Sequence, residues 1–205
     1  MTLLNKQEQE QVAAAITAVE RETDAEVVTV LTAQADNYAY IPLLWAGIFA
    51  LLVPGIINYL TNWLSADVLL LSQWGVFALL SLVFRIPGIN RRLIPRSVGY
   101  WRASNLARRQ FLEQNLHHTA GATGMLIFVS EAERYVEILV DRGISSQIDN
   151  DAWEDIIAAF TKQVKQGETL KGFISCIEDC GKHLKSKVPA TRQKDELPNH
   201  LVILS

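Results

Sequence analysis

Asp141, Asp149 and Asp151, followed about one helical turn later by Glu154, are residues whose type and spacing could do chemistry in this chain of 205 residues. Carboxylates gathered at strand and helix ends are what a hard cation such as Ca2+ or Mg2+ requires, because both ions take oxygen ligands. The same acids have a plainer use, with Asp149 or Asp151 capping the helix expected over 153–166 and Asp141 serving a turn. The ligand spacing of a helix-loop-helix calcium site is absent. No other cofactor is indicated.

Cys176, Cys180 and His183 fall at i, i+4 and i+7 of one predicted helix and therefore share a face. A soft metal could use that face if a fourth ligand approached, while a buried apolar stripe is the simpler role. Two cysteines four apart on a helix suit packing better than a disulfide, which points to a reduced compartment. His117 and His118 precede a glycine-containing loop and could contact phosphate, although neighbours on an α-helix point about 100° apart. There is no Ser-His-Asp spacing, no phosphate-cradling Gly-Lys motif and no dinucleotide fingerprint, so the residues alone support no enzyme class.

The elements that must position these groups are legible from hydrophobic periodicity. Residues 4–22 place Leu4, Val12, Ile16 and Val19 on one stripe, as an amphipathic helix does. EVVTVLT, 26–32, is β-branched and apolar enough for a buried strand. Residues 101–117 read as a helix broken by Gly121 and Gly124, ahead of a second apolar strand at 125–130. Residues 131–134 make a hairpin turn into an antiparallel partner at 135–141. Two further helices follow, one over 153–166 after Asp149-Asn150-Asp151 with Trp153, Ile156, Ile157, Phe160 and Val164 inward, and one over 170–187 with lysines in its last turns, where they suit the helix dipole. Residues 189–205 read as a tail with a short apolar end.

Between Tyr38 and Arg85 the only charged residue is Asp67. Residues 43–60 and 68–84 each run uncharged for about the length that crosses a hydrocarbon core, and helices apolar all round cannot be covered by a domain this small. The prediction is a transmembrane hairpin over 41–86, with spans at about 41–62 and 66–86. Trp45, Tyr59, Trp63 and Trp74 include rings near the span ends, with Trp74 deeper, and Pro54-Gly55 predicts a kink. Seven arginines and no acid occupy residues 85–109, whereas the loop between the spans has neither Lys nor Arg. The positive-inside rule then puts residues 1–40 and 87–205 together in the cytoplasm. Residues 1–11 show no signal-peptide pattern, so no export ahead of the first span is expected. The arginines abut the apolar block, which argues against a nucleic-acid surface, and no buried charge within the spans marks a transport path.

The order of elements predicts an α/β fold: a small mixed sheet with helices on both faces, interrupted by the two-helix hairpin. Residues 1–40 and 87–188 form the two parts of one domain, and strand 26–32 must pair at long range with 125–141. The succession of strand 125–130, charged turn 131–134, strand 135–141, Gly143 turn and Asp-led helix at 149–151, together with helix one and EVVTVLT, resembles the TPM domain family of bacterial, thylakoid lumen and photosystem II-associated proteins. That resemblance implies a mixed α/β sandwich, and for some members phosphatase activity or divalent-cation binding. Many members place the domain outside the cytoplasm behind a signal peptide, and this chain departs from them in its predicted hairpin.

The expectation is a multi-pass protein of a bacterial inner membrane, in contact with the lipid bilayer. Its cytoplasm-facing module would bind protein partners in assembly or maintenance of the envelope. The alternative is a divalent-cation-dependent phosphatase using Asp141, Asp149, Asp151 and Glu154.

Overall fold

The computed structural model describes residues 3–62, 65–191 and 197–204. In chain order α1 (Lys6–Glu20) and β1 (Glu26–Thr32) lead into α2 (Tyr40–Thr61), α3 (Ala66–Val83) and α4 (Pro87–Leu93). Then come α5 (Arg96–Glu113), a 3-10 turn (Leu116–His118), β2 (Gly124–Ser130), β3 (Tyr135–Val140), α6 (Arg142–Ser145), α7 (Asp151–Gln166), α8 (Thr169–Lys187) and β4 (Leu201–Leu204). The chain divides into two compact units, residues 1–35 with 100–205, and residues 36–99.

The first unit is built on a four-stranded sheet in the order β3-β2-β1-β4. β1 runs parallel to β2, with Val30 opposite Phe128, and parallel to β4, with Val30 opposite Val202. β2 and β3 pair antiparallel, with Ile127 opposite Ile138. Every residue of β1 and β2 is buried, as suits central strands with both faces covered. Alternation along the strands makes two cores. Val27, Leu31, Ile127 and Ile138 pack with Val12 and Ile16 of α1, Trp153 and Phe160 of α7, and Phe173, Ile177 and Leu184 of α8. On the other face Val28, Val30, Leu126 and Phe128 meet Ala103 and Ala107 of α5 and Leu116. The fold is therefore the mixed sheet with helices on both faces that the sequence predicts.

Local chemistry sets the ends of the elements. α1 opens on a capping box, in which Asn5 Oδ1 accepts from Glu8 N at 3.0 Å and Glu8 Oε2 accepts from Asn5 N at 2.7 Å. α5 starts earlier and ends sooner than periodicity suggests, because Asn115 turns left-handed at φ 57° and a 3-10 turn replaces the last helical residues. The segment read as a tail contributes β4 instead. Four apolar residues, LVIL, are too few to declare a strand, and their partner β1 lies far away in sequence. Asp24 and Glu26 lead this stretch to the sheet edge: Asp24 Oδ1 accepts from Thr191 N at 3.0 Å and Glu26 Oε2 from Leu197 N at 3.2 Å. Residues 192–196 lie outside the described residues.

In the second unit α2 packs beside α3. α2 runs continuously through Pro54, and Ala46, Ala50 and Pro54 form its buried stripe, small residues that let two helices approach. No residue of α3 is buried. Both helices are long and apolar enough to cross a membrane. Trp63, expected near a span end, lies outside the described residues.

Candidate functional site

Two loops at one end of the sheet form an open cleft of about 670 Å³, lined by His117, His118, Thr119, Gly121, Ala122, Arg142, Gly143 and Ser146. The first loop begins where Asn115 reverses the chain, burying Leu116 and presenting the two histidines. Thr119 clamps the loop: its hydroxyl donates to Leu116 O at 3.2 Å and accepts from Thr123 N at 3.0 Å. Gly121 at φ 93° and Ala122 at φ 54° then turn the chain into β2. The second loop follows β3. Asp141 N donates to Gly124 O at 2.9 Å and Gly143 N to Ala122 O at 2.8 Å, stitching the loops together across the cleft floor. Ser146 Oγ donates to Gly143 O at 3.2 Å.

The imidazoles of His117 and His118 stand 3.9 Å apart between ring centroids. That departs from the divergence expected on an α-helix, because the pair ends a 3-10 turn. With Arg142 on the opposite lip, the cleft offers two imidazoles, a guanidinium and a hydroxyl around one open space. This donor set can bind an anion, and the planar guanidinium suits two oxygens of a phosphate or carboxylate.

The four predicted carboxylates have other placements. Asp141 is the N-cap of α6, its Oδ1 accepting from Arg142 N at 2.7 Å, so it caps a helix rather than merely turning the chain. Asp149 and Asp151 bracket Asn150, which occupies the N-cap position of α7 without a side-chain capping bond. The expected side-chain cap from Asp149 or Asp151 is thus not made. Asp151 and Glu154 instead occupy the first turn, where the helix dipole favours negative charge. Among the described residues no three His, Cys, Asp or Glu side chains gather as a metal-holding group.

Cys176 and Cys180 are free thiols buried in α8. The hydrogen bond between them, reinforced by burial, pushes the Cys176 thiol well above its ordinary range, as suits a thiol packed in the core. His183 is exposed and meets the Trp153 ring edge-on at 5.7 Å.

A second cluster, on the α5 side of β3, was not foreseen. Ser104 Oγ donates to Glu137 Oε1 at 3.3 Å, and the Tyr100 and Tyr135 rings lie 5.4 Å apart. Burial raises the Glu137 carboxyl above its usual range and pushes the Tyr135 phenol up to about 12. The alternation of YVEILV put Glu137 on the face opposite Val136 and Ile138; nothing in the sequence showed that a helix would cover it.

Sheet, helices and loop cleft define a small α/β domain with its functional groups on turns. Residues 93–183 match the family model of the TPM domain. The match begins after the apolar helices, so β1 joins it by pairing with β2 and α1 by packing against α8. In overall fold the chain is similar to the BA42 protein of the psychrophilic bacterium Bizionia argentinensis, solved by NMR, with a TM-score of 0.62 at 19% identity over 98% of this chain and 96% of that one. No curated protein matches the chain.

Proposed function

We propose that the chain is a membrane-anchored TPM module whose α/β domain faces the cytoplasm of a bacterial cell and binds protein partners in assembly or maintenance of the envelope. The observation that carries this reading is the surface of α3, an 18-residue apolar helix without a single buried residue. A helix in the core of a soluble protein would have its side chains covered, and leaving this many leucines in water opposes folding. The arginines of 85–109 and the uncharged connection between the helices support the orientation. The test is cysteine labelling in intact cells, with Cys176 and Cys180 replaced and single cysteines at Ser65 and Ser186. Labelling of Ser65→Cys alone by an impermeant reagent agrees with the proposal. Labelling of Ser186→Cys alone reverses the orientation.

The cleft favours a second reading, hydrolysis of a phosphoester, because its imidazoles and Arg142 match a phosphate in charge and shape. In that reading an added Ca2+ or Mg2+ would have to gather Asp141, Asp149, Asp151 and Glu154, which form no metal-holding group as they stand. Hydrolysis of a generic phosphoester that requires either ion, and that disappears in Asp149→Asn and Asp151→Asn, would establish it. Activity retained in both variants would assign the turnover elsewhere.

A further inference from the structure

We infer that the cleft takes up a doubly charged oxyanion together with protons and binds it more tightly in acid, His117 and His118 being the groups that charge, an inference that rests on the cleft as an anion site. The two rings stand 3.9 Å apart between centroids on the cleft wall. The backbone beneath them is held: Asn115 reverses the chain at φ 57°, Leu116 is fully buried, and the Thr119 hydroxyl donates to Leu116 O at 3.2 Å. Both imidazoles therefore leave one short turn side by side, and a charge on one opposes a charge on the other. At about 4 Å in water that repulsion lowers the affinity for a second proton roughly fivefold.

Arg142 adds a permanent positive charge, and no carboxylate is among the eight described residues that line the cleft. The acids on the elements that meet there have other partners. Asp141 Oδ1 accepts from Arg142 N at 2.7 Å, Glu113 pairs with Arg109 at 3.2 Å, Asp24 Oδ1 accepts from Thr191 N at 3.0 Å, and Glu26 Oε2 from Leu197 N at 3.2 Å. An oxyanion against both imidazoles and Arg142 supplies the missing negative charge, so the occupied cleft holds protons more strongly than the empty one. Binding then carries protons in. Affinity is greatest below the imidazole values of the empty cleft and falls as pH rises to those of the occupied one. Sulfate suits the test because its charge is constant here, whereas a phosphate group itself titrates near pH 6 or so, at about the same point.

The full chain in detergent micelles is titrated with sodium sulfate at constant ionic strength, at about pH 5.5 and about pH 8, following the imidazole NMR resonances. Binding should be at least about tenfold tighter at the lower pH, the step expected when a hydrogen-bond partner becomes charged. The resonances of His117 and His118 should move, while those of His183 and His200, which line no part of the cleft, stay in place. Both rings are exposed, so substituting them leaves the core untouched. His117→Gln and His118→Gln should each flatten the pH profile, and the double variant should abolish it. Arg142→Gln should weaken sulfate at both pH values and keep the pH dependence. Equal affinity at the two pH values overturns the proton linkage and leaves an anion site. A pH dependence that persists in the double variant assigns the protons elsewhere and overturns the inference as well. Sulfate that moves neither cleft imidazole at either pH overturns it together with the anion reading. Hydrolysis enters none of these outcomes, so a lack of phosphoester turnover strikes the hydrolytic reading alone.

Discussion

Gly143 and Ala122 are joined across the cleft floor by a 2.8 Å backbone hydrogen bond, and the approach leaves no room for a side chain: a Cβ on Gly143 would lie 2.5 Å from Ala122 O and 2.2 Å from Gly121 O. Both neighbours are backbone, so neither can rotate away. Gly143→Ala must push the loops apart, at a cost of about 1–3 kcal/mol in stability. A lowered midpoint in thermal unfolding of the purified chain, together with altered NMR shifts for His117 and His118, is the expected result. An unchanged midpoint would mean that the loops are not locked as described.

The cleft's charge predicts its selectivity. If Arg142 supplies the guanidinium that meets an anion, Arg142→Gln removes a charged hydrogen-bond partner worth about 1.5–3 kcal/mol, weakening binding roughly tenfold or more. Titration of inorganic phosphate, followed through the imidazole resonances of His117 and His118, should show that loss. Equal affinity in the two proteins would remove Arg142 from the site.

Gly172 has a similar relation to Phe160, whose ring carbons would come within 2.3 Å of an added Cβ. Phe160 is fully buried and edge-on to Phe173 at 5.0 Å, so it cannot swing aside freely. Gly172→Ala should cost about 1–3 kcal/mol. In a Phe160→Leu background the clash is relieved, and the two changes should be less damaging together than their separate effects sum to. Chemical denaturation of the four proteins in the cycle measures the coupling, and strict additivity would contradict the contact.

These contacts also show where the sequence is readable and where it is not. β1 and β2 are evident because strands buried on both faces need an almost continuous apolar run, and 26–32 and 124–130 have one. β4 is not, since four residues carry no period and pair with β1 across most of the chain. The cleft escapes for a related reason. Its histidines and Arg142 belong to loops on either side of the β2–β3 hairpin, and only the antiparallel pairing of Met125 with Val140 brings the loops to one end of the sheet. Asp141, Asp149 and Asp151 have a legible type and spacing, but their roles depend on helix starts that sequence places only to within a residue or two.

Glu137 predicts a pH dependence of stability. Burial raises its carboxyl above the value it has in the unfolded chain, so over the interval between the two values the folded state holds more protons. Stability must therefore fall as pH rises through that interval, from the ordinary glutamate value up to the raised one, and the penalty persists above it. Glu137→Gln removes the titration while keeping the shape and a hydrogen-bonding partner for Ser104. Relative to the parent, the variant should gain stability at neutral pH, and the advantage should vanish in acid. Parallel pH profiles for the two proteins in urea unfolding would show that the carboxyl is not held in an unfavourable setting.

Trp74 separates a helix in lipid from one in water. It sits near the middle of α3 and is 72% exposed. On a water-facing surface Trp74→Arg would be nearly neutral, within about 0.5 kcal/mol, since no packing is lost. At the centre of a bilayer the same change costs about 2.5–3.5 kcal/mol on insertion scales, enough to lower the inserted fraction severalfold. Tyr59→Arg, at the end of α2 where a guanidinium can reach headgroups, should be tolerated in either setting. The measurement is the fraction of each variant retained in carbonate-washed membranes. Selective loss of Trp74→Arg places α3 across the bilayer, whereas equal retention of both variants would place the Trp74 side of α3 in water.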